Sequence, residues 1–167
     1  MLKPGEMAPS WSGTAANGAT VSGASFLGRP LLLYFFPKAG TTGCTIETRR
    51  FGEHAPEFAQ AGVAIVGVSV DSVEAQQRFA SACRVDFPLI SDVDKSIARA
   101  FGVLGLLGFA RRVTFWIGAD GRIQEVVDGM MPGPHLQRTL ARLATLPRSS
   151  DPPGAPRPAP GGGPGAP

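Results

Sequence analysis

Residues 31–47 read LLLYFFPKAGTTGCTIE. The first six residues form an unbroken apolar run, which is typical of a strand covered on both faces of a sheet. The run ends at Pro37, and the residues from Thr42 onward have a helical pattern. The stretch therefore predicts a central strand that leads directly into a helix, which is where open α/β sheets place their catalytic residues.

Outward from this stretch, the chain alternates between strand and helix patterns. A second apolar run at residues 63–70 predicts another central strand. Helices are predicted over residues 42–62, 72–84, 94–101 and 134–146. Pro56 should break or bend the first helix after about Gly52. Residues 87–90 predict a short strand at the sheet edge, because Pro88 has no N–H to donate to a central ladder.

Two hairpins are predicted at opposite ends of the chain. Residues 113–117 and 123–127 predict two strands joined at Asp120-Gly121, a pair that suits the positive φ angles of a type I′ turn. Asn17-Gly18 predicts a smaller hairpin near the start. The whole order indicates an α/β protein with a mixed central sheet flanked by helices.

The composition changes after Leu146. Of the 21 residues from 147 to 167, 8 are proline and 5 are glycine, and such a segment buries too little apolar surface to offset the entropy of ordering it. We therefore expect one folded domain over residues 1–146, which falls in the usual domain size of roughly 100–200 residues. A disordered Pro/Gly-rich tail is predicted for residues 147–167.

Charge and cysteine content exclude several classes of function. The net charge is +3, too small and too scattered for a nucleic-acid surface. Two cysteines are too few for a disulfide scaffold or a four-cysteine zinc site. The first residues lack the basic and then apolar run of a secretion signal, and no apolar stretch is long enough to cross a bilayer. We expect a cytoplasmic protein without nucleic-acid or membrane partners.

Cys44 lies in or near the first turn of the first predicted helix. The unpaired N–H groups and the positive end of the helix dipole at that position favour a thiolate, which is the nucleophilic form of the side chain. A buried structural cysteine is the alternative. Position alone leaves both interpretations open.

Pro37, Thr41 and Cys44 fit the spacing Pro-x-x-x-Thr-x-x-Cys, with Glu47 about one helical turn further on. Here the sequence resembles the peroxiredoxins, and among them the bacterioferritin comigratory protein or peroxiredoxin Q subfamily. The likeness extends over most of residues 3–146. It implies a thioredoxin-like fold of the peroxiredoxin type. It also implies a thiol peroxidase that reduces hydrogen peroxide and organic hydroperoxides without a cofactor or a metal.

The resemblance assigns roles to the three motif residues. Cys44 would attack one peroxide oxygen and become a sulfenic acid. The Thr41 hydroxyl can donate and accept hydrogen bonds, which suits holding a peroxide, unless it serves only as a helix N-cap. Pro37 would fix the entry to the loop, and it carries no N–H to compete for the thiolate.

Arg112 matches the family's active-site arginine. A guanidinium near the sulfur would favour the thiolate and stabilise the charge that develops on the leaving oxygen. Arg111 is the alternative, because a shift of one residue along a strand reverses the face of the side chain. Either arginine could also be a solvated charge at a strand end. Glu47 would orient the arginine, or it is simply an acidic residue near the helix start.

A second cysteine resolves the sulfenic acid in many peroxiredoxins. Its commonest subfamily position, five residues after Cys44, is Arg49 here. Another subfamily pattern places it on the helix after the second central strand, at the position of Ala80. Cys83 lies three residues later, on roughly the same helix face. We expect Cys83 to form an intramolecular disulfide with Cys44 after local unwinding, the alternative being a packed core cysteine.

A thioredoxin-type dithiol would then reduce the disulfide, and we expect the protein to act as a monomer. The alternatives are a one-cysteine peroxidase recycled by an external thiol, and a non-catalytic thioredoxin-like binding or holdase module. A dithiol oxidoreductase is disfavoured, because Thr41 occupies the first position of the Cys-x-x-Cys spacing. His54 and His135 are expected to be surface or packing residues rather than metal ligands. The apolar segment 103–109 is expected to pack on the sheet, with a collar for organic peroxides as the alternative.

Overall fold

One mixed seven-stranded sheet organises residues 1–147, the part of the chain that the computed structural model describes. The strands are β1 (Ser12–Ala15), β2 (Thr20–Ser22), β3 (Leu31–Phe35), β4 (Ala64–Ser69), β5 (Leu89–Ser91), β6 (Val113–Ile117) and β7 (Ile123–Asp128). The helices are α1 (Thr42–Gln60), α2 (Val73–Cys83), α3 (Ser96–Ala100) and α4 (Pro132–Leu143), with a short 3-10 helix at Gly23–Phe26. The predicted tail lies outside the described residues, apart from Pro147.

The strand order is β2-β1-β5-β4-β3-β6-β7. Strand β4 pairs in parallel with β3 on one side and with β5 on the other. Helices α1 and α2 form the crossover connections between these three strands. Strands β6 and β7 form an antiparallel hairpin beside β3. The predicted hairpin around Asn17-Gly18 is present as β1 and β2. The predicted α/β class with a mixed sheet flanked by helices is thus confirmed.

Alternate residues of β3 face opposite sides of the sheet, as the strand period of two requires. Leu33 and Phe35 pack into the hydrophobic cluster on one face. Leu32 and Tyr34 pack into the cluster on the other face, beneath α1 and α2. Both cysteines of the chain belong to this second cluster. The sheet therefore places the two thiols on the same side of the molecule.

Helix α1 continues through Pro56, so of the predicted break or bend near Gly52 the break is wrong. A proline inside a helix removes one hydrogen bond and crowds the carbonyl four residues earlier. That residue is Gly52, and Phe51 and Phe58 on either side of the proline are completely buried. Burial of these two rings on the sheet outweighs the local preference of proline.

Strand β5 is not an edge strand, contrary to the prediction, because it pairs with β4 on one side and β1 on the other. The inference from Pro88 fails because the strand begins one residue later, at Leu89. The missing N–H of Pro88 is therefore not needed in the ladder. Its carbonyl still accepts a hydrogen bond from the Gly67 N–H at 3.0 Å.

The β6–β7 connection differs from the predicted type I′ turn. That turn requires positive φ at both central residues, whereas Gly121 has a φ of 85° and Asp120 does not have a positive φ. The Gly121 N–H closes a turn onto the Gly118 carbonyl at 2.9 Å, and the Gly118 N–H donates to Arg122 at 2.8 Å. The loop is longer than two residues, so only one left-handed position is needed.

Gly67 provides a stability test of the packing around Tyr34, its neighbour across β3 and β4. A Cβ at Gly67 would lie 2.8 Å from the Tyr34 hydroxyl oxygen and 2.8 Å from Leu89 Cδ2. We expect Gly67→Ala to lower the free energy of unfolding in urea by about 1–3 kcal/mol. The control is Gly133→Ala, where a Cβ meets nothing within 4 Å. An equal loss in both variants would contradict this account of the packing.

Candidate active site

Cys44 is the third residue of α1 and lies in its first turn. The turn follows directly from β3, since the Phe36 N–H still bonds to the Val68 carbonyl at 3.0 Å before the loop at residues 37–41 begins. The Cys44 side chain is completely buried. The thiol therefore sits at the carboxyl end of a central strand, near unpaired N–H groups at the start of a helix.

The loop before Cys44 is tied to the end of the neighbouring strand. The Asp71 carboxylate accepts a hydrogen bond from the Ala39 N–H at 2.8 Å and another from the Ser69 hydroxyl at 2.6 Å. Ser69 is the last residue of β4. The carboxylate thus anchors the backbone of the loop to the rigid sheet, which limits movement of the first turn of α1.

Arg112 brings a cation against the Cys44 sulfur. It precedes β6, and its Nη2 lies 3.4 Å from Cys44 Sγ. Its Nη1 donates to Glu47 Oε1 at 2.7 Å, and its Nε donates to the Met130 carbonyl at 2.8 Å. The guanidinium is therefore fixed by three partners in three directions. The site therefore holds a positive charge within hydrogen-bond distance of the sulfur.

Arg111 points elsewhere. Its Nη2 pairs with Asp128 Oδ2 at 2.5 Å, and its side chain is about half exposed. The two consecutive arginines lie on opposite faces of the chain, as expected at the start of a strand. Of the two candidates from the sequence, the structure brings Arg112 to Cys44.

Glu47 is buried beside Arg112, one turn after Cys44. Burial raises the pKa of Glu47 to about 7, and the attraction and hydrogen bond of Arg112 oppose this rise. Oε1 accepts from Arg112, while Oε2 has no hydrogen-bond partner among the described residues. The carboxyl group is oriented towards the arginine and is not a solvated charge at the helix start.

His135 lies behind Glu47, with its Nδ1 3.9 Å from Glu47 Oε2. It is completely buried, and burial lowers its pKa. The neutral ring donates from Nε2 to the Gly129 carbonyl at 2.8 Å and accepts at Nδ1 from the Thr114 hydroxyl at 2.8 Å. His135 is thus a packing residue that holds the loop after β7. Arg112 holds the same loop through Met130.

Thr41 is the N-cap residue of α1 by position, but its side chain makes no cap hydrogen bond. Its hydroxyl donates instead to the Lys38 carbonyl at 2.7 Å and lies on an exposed part of the chain. The capping alternative for the side chain is therefore wrong. The hydroxyl oxygen keeps lone pairs with which to accept a further hydrogen bond.

A pocket of about 460 Å³ opens beside Arg112, whereas the completely buried Cys44 does not line it. Its lining residues are Pro37, Arg111, Arg112, Asp128, Gly129 and Met130. The ring of Pro37 thus forms part of the wall, and the arginine that touches the Cys44 sulfur forms another part. A small polar molecule in this pocket would meet the guanidinium.

The apolar segment 103–109 only partly packs on the sheet. Val103 is buried in the core, as expected. Leu106 and Leu107 are fully or almost fully exposed, so the packing prediction is wrong for them. A tight turn explains the difference, because the Gly105 N–H bonds to the Phe109 carbonyl at 2.8 Å and the two leucines project from its tip.

Cys83 is the last residue of α2 and is buried. Both cysteines are free thiols. Burial raises the pKa of Cys83, and Arg49 opposes this rise. Tyr34 is near enough to both thiols to interact with them electrostatically. Its hydroxyl bonds to Thr48 at 2.9 Å in the same cluster.

Three features of the site have little or no signal in the sequence. Gly43 leaves room for the guanidinium, because a Cβ there would lie 3.0 Å from Arg112 Nη2. The Gly-Cys pair in the motif was the available signal for this close approach. The Met130 carbonyl carries no side-chain signal, and the contact of His135 with the site depends on how α4 packs.

Within residues 1–147, no cluster of three or more metal-ligating side chains occurs. No helix in this part is long and apolar enough to cross a membrane.

Comparison with known proteins agrees with this geometry. Residues 4–126 match the AhpC/TSA family. Peroxiredoxin Bcp of Escherichia coli K12 is 36% identical over 141 residues, which span 80% of this chain and 90% of that protein. The crystal structure of peroxidoxin BcpB from Mycobacterium tuberculosis has a TM-score of 0.81 at 33% identity, covering 88% of this chain and 99% of that one.

A further solved structure is the bacterioferritin comigratory protein of Xanthomonas campestris, described for its alkyl peroxide reduction activity. It has a TM-score of 0.75 at 31% identity and covers 80% of this chain and 90% of that one. These relatives, together with the fold and the position of Cys44, identify a thiol peroxidase, an oxidoreductase that uses a peroxide and a thiol reductant. The chain belongs to the AhpC/TSA family of peroxiredoxins, with the Bcp and peroxiredoxin Q proteins among its relatives.

The contact between Arg112 and Cys44 predicts a large difference between the two consecutive arginines. We expect Arg112→Met to slow the single-turnover reaction with hydrogen peroxide by about 100-fold, the usual effect of losing one donor to a developing negative charge. Arg111→Met is the matched control and should react at nearly the wild-type rate. Stopped-flow fluorescence measures both. Slowing by Arg111→Met alone would show that the assigned arginine is wrong.

Proposed function

We propose that Cys44 is the peroxide-reacting cysteine of this thiol peroxidase and that Cys83 resolves it. The observation that carries the first part is the 3.4 Å contact between the Arg112 guanidinium and the Cys44 sulfur in the first turn of a helix. The guanidinium is placed where negative charge on sulfur and on a leaving oxygen would meet a fixed donor. All of these groups come from one chain, so the site requires no second copy.

In the first step, the Cys44 thiolate attacks one oxygen of the peroxide. The O–O bond breaks, the sulfur becomes a sulfenic acid, and the other oxygen leaves as hydroxide or alkoxide, which takes a proton to give water or an alcohol. Arg112 stabilises the negative charge as it moves from sulfur to the leaving oxygen. The Thr41 hydroxyl, whose hydrogen is held by Lys38, accepts a hydrogen bond from the peroxide.

Glu47 and Pro37 act on the geometry of this step. Glu47 holds one end of the guanidinium at 2.7 Å, so that Nη2 stays directed at the sulfur. The Pro37 ring forms a wall of the pocket and offers no N–H that would compete for the thiolate. The pocket of about 460 Å³ has room for an organic hydroperoxide as well as hydrogen peroxide.

In the second step, the Cys83 thiolate attacks the Cys44 sulfenic sulfur. The S–O bond breaks, water is released and a disulfide forms across the 38 intervening residues. Cys44 is completely buried, and we expect the first turn of α1 to unwind as the bridge forms. A dithiol reductant of the thioredoxin type then reopens the bridge by thiol exchange.

A one-cysteine mechanism is the second candidate, and the burial of Cys83 in the hydrophobic cluster on this face of the sheet is the observation that favours it. In that case Cys83 is a core residue, and an external thiol reduces the Cys44 sulfenic acid directly.

A cytoplasmic location stays a prediction of the sequence.

The proposed first step predicts that Cys44→Ser abolishes peroxide turnover. A hydroxyl at this position would not ionise appreciably, and it cannot form a sulfenic acid. Consumption of reductant in a thioredoxin-coupled assay measures the effect, and far-ultraviolet circular dichroism checks that the fold is kept. Turnover that persists in the variant would contradict the assignment of Cys44.

The proposed second step predicts a different outcome for Cys83→Ser. The first equivalent of peroxide should still be reduced at nearly the wild-type rate, while thioredoxin-supported cycling falls. Inactivation at high peroxide should increase, because the waiting sulfenic acid is open to further oxidation. Intact-protein mass spectrometry of the oxidised wild type supplies the control. Wild-type cycling by the variant, with no bridge in the oxidised wild type, would establish the one-cysteine mechanism.

A further inference from the structure

Arg49 links α1 to the turn of α2 that carries Cys83. Its Nη2 donates to the Ala82 carbonyl, the residue before Cys83, at 3.2 Å. One turn further along α1, a Cβ at Gly52 would lie only 2.6 Å from Val85 Cγ1, so the backbone of α1 approaches the segment after Cys83 very closely. Two contacts from the same side of α1 therefore hold the chain on both sides of Cys83.

The surroundings of Cys83 disfavour a thiolate unless a cation compensates. The thiol is buried, and it lies at the carboxyl end of α2, where the helix dipole is negative. The titratable and charged groups around it are Arg49 from α1, Tyr34 from β3, and Arg84, which follows it in a left-handed conformation. Arg49 is the cation whose attraction opposes the rise in the pKa of Cys83, and its guanidinium bonds to the carbonyl of the preceding residue, Ala82.

We propose that Arg49 is a positioning residue for the resolving step, which fixes the last turn of α2 against α1 and holds a positive charge beside the Cys83 sulfur. This inference rests on the proposed role of Cys83. The chemistry requires a nucleophilic thiolate at Cys83 that attacks the Cys44 sulfenic sulfur. The hydroxide that leaves takes up the proton that Cys83 released, so water and one disulfide are the products.

The place of Arg49 along α1 suits this role. We expect the sulfurs to meet through unwinding of the first turn of α1 at the completely buried Cys44. Arg49 lies five residues later, more than one helical turn beyond Cys44. Its contact with Ala82 therefore persists while the first turn opens, and it keeps Cys83 beside the opened segment. In this chain, an arginine stands where the commonest pattern of the subfamily has its resolving cysteine.

The experiment compares Arg49→Met and Arg49→Lys with Arg50→Met, an exposed neighbour on the same helix. Each reduced protein is mixed with one equivalent of hydrogen peroxide and quenched with a thiol-blocking reagent at intervals, over a series of pH values. Mass spectrometry then follows the sulfenic acid and the Cys44–Cys83 bridge separately. Thermal unfolding of each variant reports on the fold.

We expect Arg49→Met to slow bridge formation at neutral pH by about tenfold and to move the midpoint of its pH profile upward, as the loss of one nearby opposite charge implies. Arg49→Lys, which keeps the charge, should restore the midpoint at least in part, and Arg50→Met should match the wild type. The rate at which the sulfenic acid appears separates this effect from any change in the first step.

Each other outcome overturns the inference in a distinguishable way. If the wild type bridges and Arg49→Met bridges at the same rate with the same pH midpoint, Arg49 has no role, while the proposed function stands. If both Arg49 variants slow equally without a shift of the midpoint, the contact is only structural. If the wild type forms no bridge, the proposed role of Cys83 fails, and the inference about Arg49 fails with it.

Discussion

A buried guanidinium joins the two halves of the active site. Arg112 touches the Cys44 sulfur from the β6 side, while α1 supplies both that sulfur and the Glu47 carboxylate. Burial of charge is costly unless it is paired and hydrogen-bonded, and here a carboxylate and the Met130 carbonyl satisfy the guanidinium. The antiparallel register of β3 and β6, which pairs Phe35 with Val113, puts the arginine next to the strand end from which α1 begins.

The positions of the two thiols determine which structural change the proposed disulfide step would involve. Both thiols lie in the cluster between the sheet and the α1–α2 layer, with the ring of Tyr34 near both of them. The reduced state is tightly packed there, since Cys44 is completely buried and Tyr34 bonds to Thr48. We therefore expect the proposed bridge to form by local opening of α1. Local opening of a helix end costs far less than global unfolding.

Much of the fold could be predicted from the sequence, because its signals are local. The apolar run before Cys44 identified a central strand, and the helical pattern from Thr42 onward located the thiol in or near a first helical turn. The unbroken course of α1 through Pro56 could not be predicted, since it depends on how Phe51 and Phe58 of that helix are buried against other elements. Within the site, the sequence predicted those side chains that match a motif position of the family, such as Arg112. The Met130 carbonyl and the neutral His135 were not, because backbone acceptors and packed rings leave no pattern in the sequence.

The central claim is that the site is built for peroxide and does more than expose a reactive thiolate. The most direct measurement compares two reagents on the Cys83→Ser protein, in which Cys44 is the remaining thiol. Its rates with hydrogen peroxide and with iodoacetamide are each divided by the rate of free cysteine at the same pH. If Arg112 stabilises the leaving oxygen, the ratio for peroxide should exceed the ratio for iodoacetamide by at least about 100-fold. Equal ratios for the two reagents would contradict the account, because they would show that ionisation of the thiol alone explains its reactivity.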